Sequence, residues 1–409
     1  MINHYLTRVF HHILYIIFFF PALIFLLIVY IFKNKIKIKW YCLISTRIGH
    51  FISEPIIYFS TKRPINEKTI FYTRPTVCNK YVYKILKKKF LFFPHSFLHT
   101  VQQIVFFLEK YNFYLFNKHY VRSLETNYGR DINSSIYKSN INFDFNNKEI
   151  EIAKKILRRN GVDPEKKFVC LYIRDSEYLK KEFRTSEERW SYHNYRDWNV
   201  NNFNKGIEFL NKKGFTVVRV SKYSKYKIKD DKLDVIDLPF LKFRSDFLEV
   251  YFAYICEFAI GTDPGSLHLS ATLFKKPYLG FMTPVGHIHS YFKNSLFSTK
   301  RIVSKKNNNE LSFKEIIDKN LHNFLNQGKI SENYIFKELD SDEIKDTIEE
   351  FYLRLKKKWV SNKADIELQN RFWSYFPTDI KSEDGSSYHH KIEGKFSSTF
   401  LLKNKKWLY

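Results

Sequence analysis

Glycine is scarce in this chain, with 12 in 409 residues. No GxGxxG follows a strand-like run, which speaks against a dinucleotide dehydrogenase. GxxxxGK[ST] is absent, which excludes a P-loop NTPase. Cysteine is scarcer still. The four cysteines, Cys42, Cys78, Cys170 and Cys256, are never at CxxC spacing and no histidine cluster joins them. Neither a disulfide framework nor a zinc site is expected. Cys42, Cys170 and Cys256 fall in apolar runs and read as small core residues in a reducing compartment. A carboxylate pair at a strand end is also missing. The run Lys229-Asp230-Asp231-Lys232 lies in a charged loop and makes a poor metal site. No metal and no cofactor is expected.

Acidic residues are the next deficit: 42 Asp and Glu face 68 Lys and Arg, a net charge of +26. Such a balance suggests nucleic acid. The lysines are scattered, however, and the abundance of Asn, Ile, Phe and Tyr is what an AT-rich coding sequence favours whatever the function. No nucleic acid is expected. The charge is also uneven. Residues 1 to 125 hold 18 Lys or Arg and 4 acidic residues, more than half of the excess. An anionic membrane surface suits that distribution better.

The same region holds the one long apolar run. Ile13 to Phe32 reads ILYIIFFFPALIFLLIVYIF, 20 residues without a charge. That is enough to cross a hydrocarbon core of about 30 Å. No small-residue cleavage site precedes the charged run, which argues against a signal peptide. Lys33, Lys35, Lys37 and Lys39 follow, whereas before the span only Arg8 and the chain's amine are firmly positive. The positive-inside rule then places a single-pass anchor in the inner (plasma) membrane, with the C-terminal bulk cytoplasmic. Pro21 is positioned to kink the span or make it re-entrant.

Beyond the span, 44% hydrophobic content provides for real cores, and the length calls for two domains. Strand-like runs alternate with helical ones: IKIKWYCLIST (36–46), KTIFYTRP (68–75), FVCLYIR (168–174), FTVVRVS (215–221), KLDVIDLPF (232–240), FAIGT (258–262) and KPYLGFM (276–282). This alternation predicts an α/β fold of two Rossmann-like, doubly wound domains facing a cleft, plus one N-terminal transmembrane helix. The expected boundaries are 1–35 for the anchor, 36–147 for the first domain, 148–335 for the second, and 336–409 for a C-terminal helix and tail returning to the first domain. Helices are expected at 97–117, 148–160, 201–214, 246–257, 266–274 and 341–358.

Three strand ends carry chemistry. In parallel α/β sheets ligands bind beyond the C-terminal ends of strands. Gly261-Thr262-Asp263-Pro264-Gly265-Ser266 sits between a strand and a helical run that carries His268. A helix N-terminus suits phosphate, Thr262 and Ser266 add hydroxyls, Gly265 permits close approach, and His268 adds a donor. Asp263 or Ser266 acting as a plain helix cap explains the same residues equally well. Arg174 and Asp175 end the first strand of the second domain. The Arg174 fork suits a diphosphate, while Asp175 is either a base or the group that orients Arg174, and a surface ion pair is the alternative. Arg219 ends a neighbouring strand, with Lys222 and Tyr223 beyond it. In the first domain Arg47-Ile48-Gly49-His50 ends a strand, and Glu54 lies one turn later. His50 is the general-base candidate by residue type, oriented or replaced by Glu54; a structural histidine is the alternative.

The ordered set RIGHFISE, FVCLYIRDSEYL, YRDWNVNNFNKGIEFLNKKGFTVVRV, FAIGTDPGSLHLSATLFKKP and FLLKNKKWL resembles a family of bacterial glycosyltransferases of the GT-B fold from surface-polysaccharide gene clusters. The resemblance covers roughly residues 40 to 409. The Arg174-Asp175 strand end and the GTDPGS turn are similar to features of fucosyltransferase-like and heptosyltransferase-like enzymes. The resemblance implies that the second domain binds a nucleotide diphosphate sugar, that the first presents a glycan or lipid-linked acceptor, and that transfer is metal-independent. On that reading Arg174, Arg219, Thr262, Asp263, Gly265, Ser266 and His268 hold the donor diphosphate. His50 or Asp175 acts as base, and Arg47, Gly49 and Glu54 lie on the acceptor side. A sugar-nucleotide epimerase of the same fold and a non-catalytic membrane-tethered scaffold are the competing readings.

Overall fold

Strand β1 (Lys37–Leu43) packs on both of its faces. Ile38, Trp40 and Cys42 point to one side, while Tyr41 reaches the opposite side and meets Glu54. Both faces are therefore covered, as parallel sheets require. A computed structural model describes residues 2–61, 63–116, 119, 131, 134–183, 194–262, 264–288, 294–322, 332–376 and 393–409, with the backbone alone at 2–12 and 287. The chain divides into two compact units, Met1–Gly129 and Arg130–Tyr409.

The first unit holds a parallel sheet ordered β1-β2-β3, with β2 at Glu67–Thr73 and β3 at Leu91–Phe92. Helix α2 (Ile48–Ser60) returns from β1 to β2 and α3 (Lys80–Leu86) from β2 to β3. Phe71 meets Phe59 and Phe90 on that face. On the other face lie α1 (Ile2–Phe32) and α4 (His95–Lys110). Helix α1 runs through Pro21 and includes Ile13–Phe32, long and apolar enough to cross a membrane by length and composition. It is not a separate segment. Ala22, Leu26 and Val29 are buried against Trp40, Ile70, Leu98 and Val101. The anchor expected at 1–35 is thus also a core layer of the first unit.

The second unit carries a seven-stranded sheet, ordered β6-β5-β4-β7-β8-β9-β12, with every neighbouring pair parallel. Its strands are β4 (Lys167–Tyr172), β5 (Phe215–Arg219), β6 (Val235–Asp237), β7 (Phe258–Gly261), β8 (Tyr278–Phe281), β9 (Leu296–Ser298) and β12 (Lys395–Phe396). The chain winds outward from β4 to β6, then returns and winds the other way from β7. This is the doubly wound order, with its reversal between β4 and β7. β10 (Arg301–Ser304) and β11 (Tyr334–Lys337) form a separate antiparallel pair. Helix α5 (Asn147–Arg159) opens with a capping box between Asn146 and Glu149. It ends at Gly161, whose φ of +74° suits glycine. Helices α6 (Asn204–Lys212) and α7 (Asp246–Ile255) follow.

Two expectations about boundaries change. The units part at residues 129 and 130, not at 147. The tail joins the second unit rather than the first. Helix α8 (Ser341–Leu355) packs beside α6, and Ile348 sits where a Cβ on Gly206 would go. Helix α9 (Lys363–Tyr375) stacks Phe372 on Phe313, Phe396 and Trp407. Helix α10 (Ser398–Lys403) follows β12 directly. Its orphan N–H groups meet a buried carboxylate. Glu350 accepts from the backbones of Ser398 and Thr399 and from Ser397 Oγ, at 3.0, 2.8 and 2.8 Å, and pairs with Arg354. A carboxylate at a helix N-terminus complements its dipole.

Candidate functional site

The two strand ends singled out by sequence meet at the reversal of the second sheet. β4 pairs with β7 so that Tyr172 faces Gly261. Beyond that pair Thr262 N donates to the Tyr172 carbonyl at 2.9 Å. Arg174 N donates to Thr262 Oγ1 at 2.8 Å. Thr262 is buried, so its hydroxyl fixes the exit path of β4 rather than meeting bulk solvent. Gly261 is needed for this closeness, because a Cβ there would lie 3.1 Å from Leu267 Cδ1 and 3.4 Å from Tyr172 Cβ. Asp263 lies outside the described residues.

The helix expected over 266–274 takes another form. Gly265–Leu267 is a 3₁₀ turn and Leu269–Leu273 is a π-helical turn. Leu267 N donates to the Pro264 carbonyl at 3.0 Å. Neither turn has the length to build a full macrodipole, and π turns recur at functional sites. Ser266 caps nothing, and its hydroxyl has no hydrogen-bond partner among the described residues. The cap explanation therefore fails for Ser266. His268 Nδ1 is 2.8 Å from Thr272 Oγ1. Beneath this turn Tyr172 Oη and Ser270 Oγ are 2.7 Å apart, and burial pushes the Tyr172 phenol well above its ordinary range.

The guanidinium of Arg174 is nearly buried and its Nη1 pairs with Asp197. Burial raises the Asp197 carboxyl above the usual range, against the pull of Arg174. The loop carrying Asp197 is fastened from two sides. Trp198 N donates to the Arg174 carbonyl at 3.1 Å. Lys300 Nζ donates to the carbonyls of Tyr195 and Asp197, lies 3.5 Å from Glu338, and sits 4.9 Å from the Trp198 ring centre. Burial holds the Lys300 ammonium down at about 8, although Glu338 and Asp197 oppose the shift. Asp197, Lys300 and Glu338 escape sequence reasoning because they lie in segments without strand periodicity. The only signal in the sequence is the resemblance across 195–220, which covers Asp197.

Arg219 and Asp175 are joined, and both serve the scaffold. Arg219 is 1% exposed and reaches Asp175 at 3.4 Å, Asp237 at 3.5 Å and the Tyr226 carbonyl. Burial lowers the Arg219 pKa from its ordinary value and raises that of Asp237. Asp175 accepts from the backbones of Glu177 and Lys225 at 3.1 and 3.0 Å. The arrangement locks the ends of β4, β5 and β6 and the loop at 222–228. Lys222, expected at the same edge, pairs with Glu182 at 2.8 Å.

His50, Arg47, Gly49 and Glu54 belong to the first unit. Arg47 is the N-cap residue of α2 and makes no side-chain cap. Gly49 is buried, and its carbonyl accepts from Ser53 Oγ at 2.7 Å. His50 and Glu54 are one turn apart, with Nδ1 to Oε1 at 2.8 Å. Glu54 is buried and also accepts from Tyr41 Oη at 3.3 Å. His50 is half-buried, and its other ring nitrogen has no protein partner among the described residues. A carboxylate fixing one nitrogen and leaving the second open is the arrangement of a general base. Among the described residues, no group of three or more His, Cys, Asp or Glu is arranged to hold a metal ion.

No family model matches the sequence, and no curated protein does. Among solved structures, Escherichia coli ADP-heptose lipopolysaccharide heptosyltransferase II is similar over 64% of this chain and 90% of its own, at 10% identity and a TM-score of 0.38. A family 9 glycosyl transferase from Veillonella parvula is similar over 78% of this chain and 97% of its own, at 9% identity and a TM-score of 0.44. A UDP-N-acetylglucosamine 2-epimerase from Listeria monocytogenes is similar over 80% and 98%, at 10% identity and a TM-score of 0.30.

Proposed function

We propose that the chain is a membrane-associated glycosyltransferase. It would move a sugar from a nucleotide diphosphate sugar to a glycan or lipid-linked acceptor, with the crevice above β4 and β7 as donor site. The observation that carries this reading is the tie between Arg174 and Thr262 at the point where the sheet reverses. Ligands of doubly wound sheets bind there, and Arg174 brings the planar fork that suits a diphosphate. The sequence resemblance supplies the sugar.

In the reaction the acceptor oxygen attacks the anomeric carbon while the bond from that carbon to the diphosphate oxygen breaks. The leaving diphosphate gains negative charge, and Arg174, the Ser266 hydroxyl and the backbone at Gly265 are the groups to stabilise it. Charge stabilisation of this kind is usually the largest catalytic contribution. On the sequence resemblance the acceptor proton passes to His50 or Asp175, and within the first unit Glu54 is placed to stabilise an imidazolium at His50. His50 is preferred to Asp175 as base because Asp175 already accepts from Arg219, Glu177 and Lys225. Arg219 is a positioning residue on this reading. The transfer needs no metal. An epimerase acting on a soluble sugar nucleotide has no use for the apolar surface of α1.

Thermal unfolding of the detergent-solubilised full chain with UDP, GDP, ADP or CMP tests the reading. A diphosphate at about 100 times its Kd adds about 2.7 kcal/mol of stability. The expected result is a clear shift with one nucleoside diphosphate, lost in Arg174→Ala. A folded sample that shifts with none of them overturns the donor assignment.

A further inference from the structure

Helix α1 shows two different surfaces along the same apolar run. Tyr15, Phe18, Ala22, Leu26 and Val29 recur at helical spacing and turn inward. Ile16, Phe20, Ile24, Leu27 and Ile31 recur on the outside, with Ile16 74% and Phe20 72% exposed. The inner stripe is engaged along nearly the whole run. Tyr15 meets His99 at 5.7 Å between ring centres, Phe18 meets Phe97 at 6.0 Å, Phe25 meets Trp40 at 5.9 Å and Tyr30 meets Phe116 at 6.5 Å.

A helix packed in this way cannot cross a bilayer alone. Upright, it would carry α4 and the sheet into hydrocarbon with it. Helix α4 holds Gln102, Gln103 and Glu109, and the sheet edge holds Lys39 paired to Glu67 at 2.9 Å. Charged and polar groups at that depth are strongly disfavoured. Withdrawing α1 alone would strip Trp40, Ile70, Leu98 and Val101 of their cover.

The geometry points to a helix that lies in the plane of the membrane. Its outer stripe enters the headgroup and acyl boundary of an anionic bilayer, and the rest of the first unit stays on the same side. The exposed run from Ile13 to Ile31 is roughly 27 Å long at 1.5 Å per residue, and such helices sink about 5–10 Å. A polar border adjoins it. Phe107, Tyr111, Phe113 and Tyr114 are exposed at the end of α4 and just beyond, next to Phe116, which touches Tyr30. Lys33 sits 3.9 Å over the Tyr30 ring, and Lys33, Lys35 and Lys110 are exposed. Aromatic rings beside lysines are the composition of a membrane interface, and the lysines select anionic headgroups. The proposed transferase function is shared only in the membrane, and the test below involves no sugar transfer.

The test uses the full chain with a tag at each end. Protease added to the outside of sealed inverted vesicles should remove both tags, because both ends lie on the cytoplasmic face. One tag cut and one protected shows a crossing helix and overturns the proposal. Purified chain should also bind phosphatidylcholine vesicles, and bind more tightly when phosphatidylglycerol is added. Ile16→Asp with Phe20→Asp should weaken binding about tenfold or more while thermal stability holds, since both side chains are exposed. Lys33→Glu with Lys35→Glu should remove the preference for phosphatidylglycerol. Binding indifferent to the aspartates overturns the apolar contact, and equal binding to both vesicle types overturns the headgroup preference.

Discussion

The Arg174 N–H and the Thr262 hydroxyl, 88 residues apart in sequence, meet at 2.8 Å and tie together the exits of two parallel strands. Thr262→Val keeps the shape but leaves that N–H buried without a partner, at a cost of about 1–3 kcal/mol. The unfolding midpoint should fall by several degrees, and Thr262→Ser should restore it. Diphosphate affinity should fall with Thr262→Val and return with the serine. A valine variant as stable as the wild type would remove the bond from the account of the site.

Lys300 gives the molecule a stability slope in mild alkali. Burial holds its folded pKa at about 8, below the ordinary 10.5. Between those values the unfolded chain binds more protons than the folded one, so stability rises with pH over that interval. Below pH 8 the burial cost is present in full, and it is on the order of 3 kcal/mol. The urea midpoint of the wild type should therefore rise relative to that of Lys300→Met from pH 8 to pH 10.5. A constant difference across that range would show that Lys300 keeps its ordinary pKa.

His50→Ala should reduce kcat by about 10²–10⁴ while the diphosphate-induced thermal shift is unchanged. Glu54→Gln keeps the hydrogen bond to His50 Nδ1 but withdraws the charge that stabilises the imidazolium. It should lower kcat less than His50→Ala. An alanine variant with full kcat would return His50 to a structural role.

Glu350 secures the tail. It is fully buried and satisfies the first turn of α10 together with Arg354. Glu350→Leu leaves those N–H groups without a partner, while the guanidinium keeps Asp365 and the Ser398 hydroxyl, and should cost about 1–3 kcal/mol for each buried N–H. Hydrogen exchange at the Ser398 and Thr399 amides of that variant should be faster than in the wild type. Wild-type-like exchange would show that the aromatic stack of Phe372, Phe396 and Trp407 holds the tail by itself.

What the sequence revealed follows from how far each signal reaches. FVCLY and FTVVR are buried on both faces, so their apolar runs are continuous and the strands are legible. The reversal between β4 and β7 is foreshadowed because both strand ends carry polar residues. β12 is two residues long, and pairing with β9 alone makes it a strand. The inner and outer stripes of α1 are equally apolar, so hydropathy records one uniform run and hides the packed side. Arg219 reads as a ligand group from its place at a strand end. Its carboxylate partners come from β6 and from the turn after β4, which no local pattern connects. Asp197 and Lys300 lie 103 residues apart in sequence and meet only once the chain between them has folded.

The inner stripe of α1 also sets an order of events during synthesis. The helix leaves the ribosome before Trp40, Ile70, Leu98 or Val101 exists to receive it. Until Val105 has emerged, the segment is as apolar as a true crossing helix and is open to capture by the insertion machinery. On the in-plane reading, the outcome for the nascent chain depends on whether the first sheet folds before the segment is inserted. Slowing translation between β1 and α4 should favour capture, and speeding it should favour the folded domain.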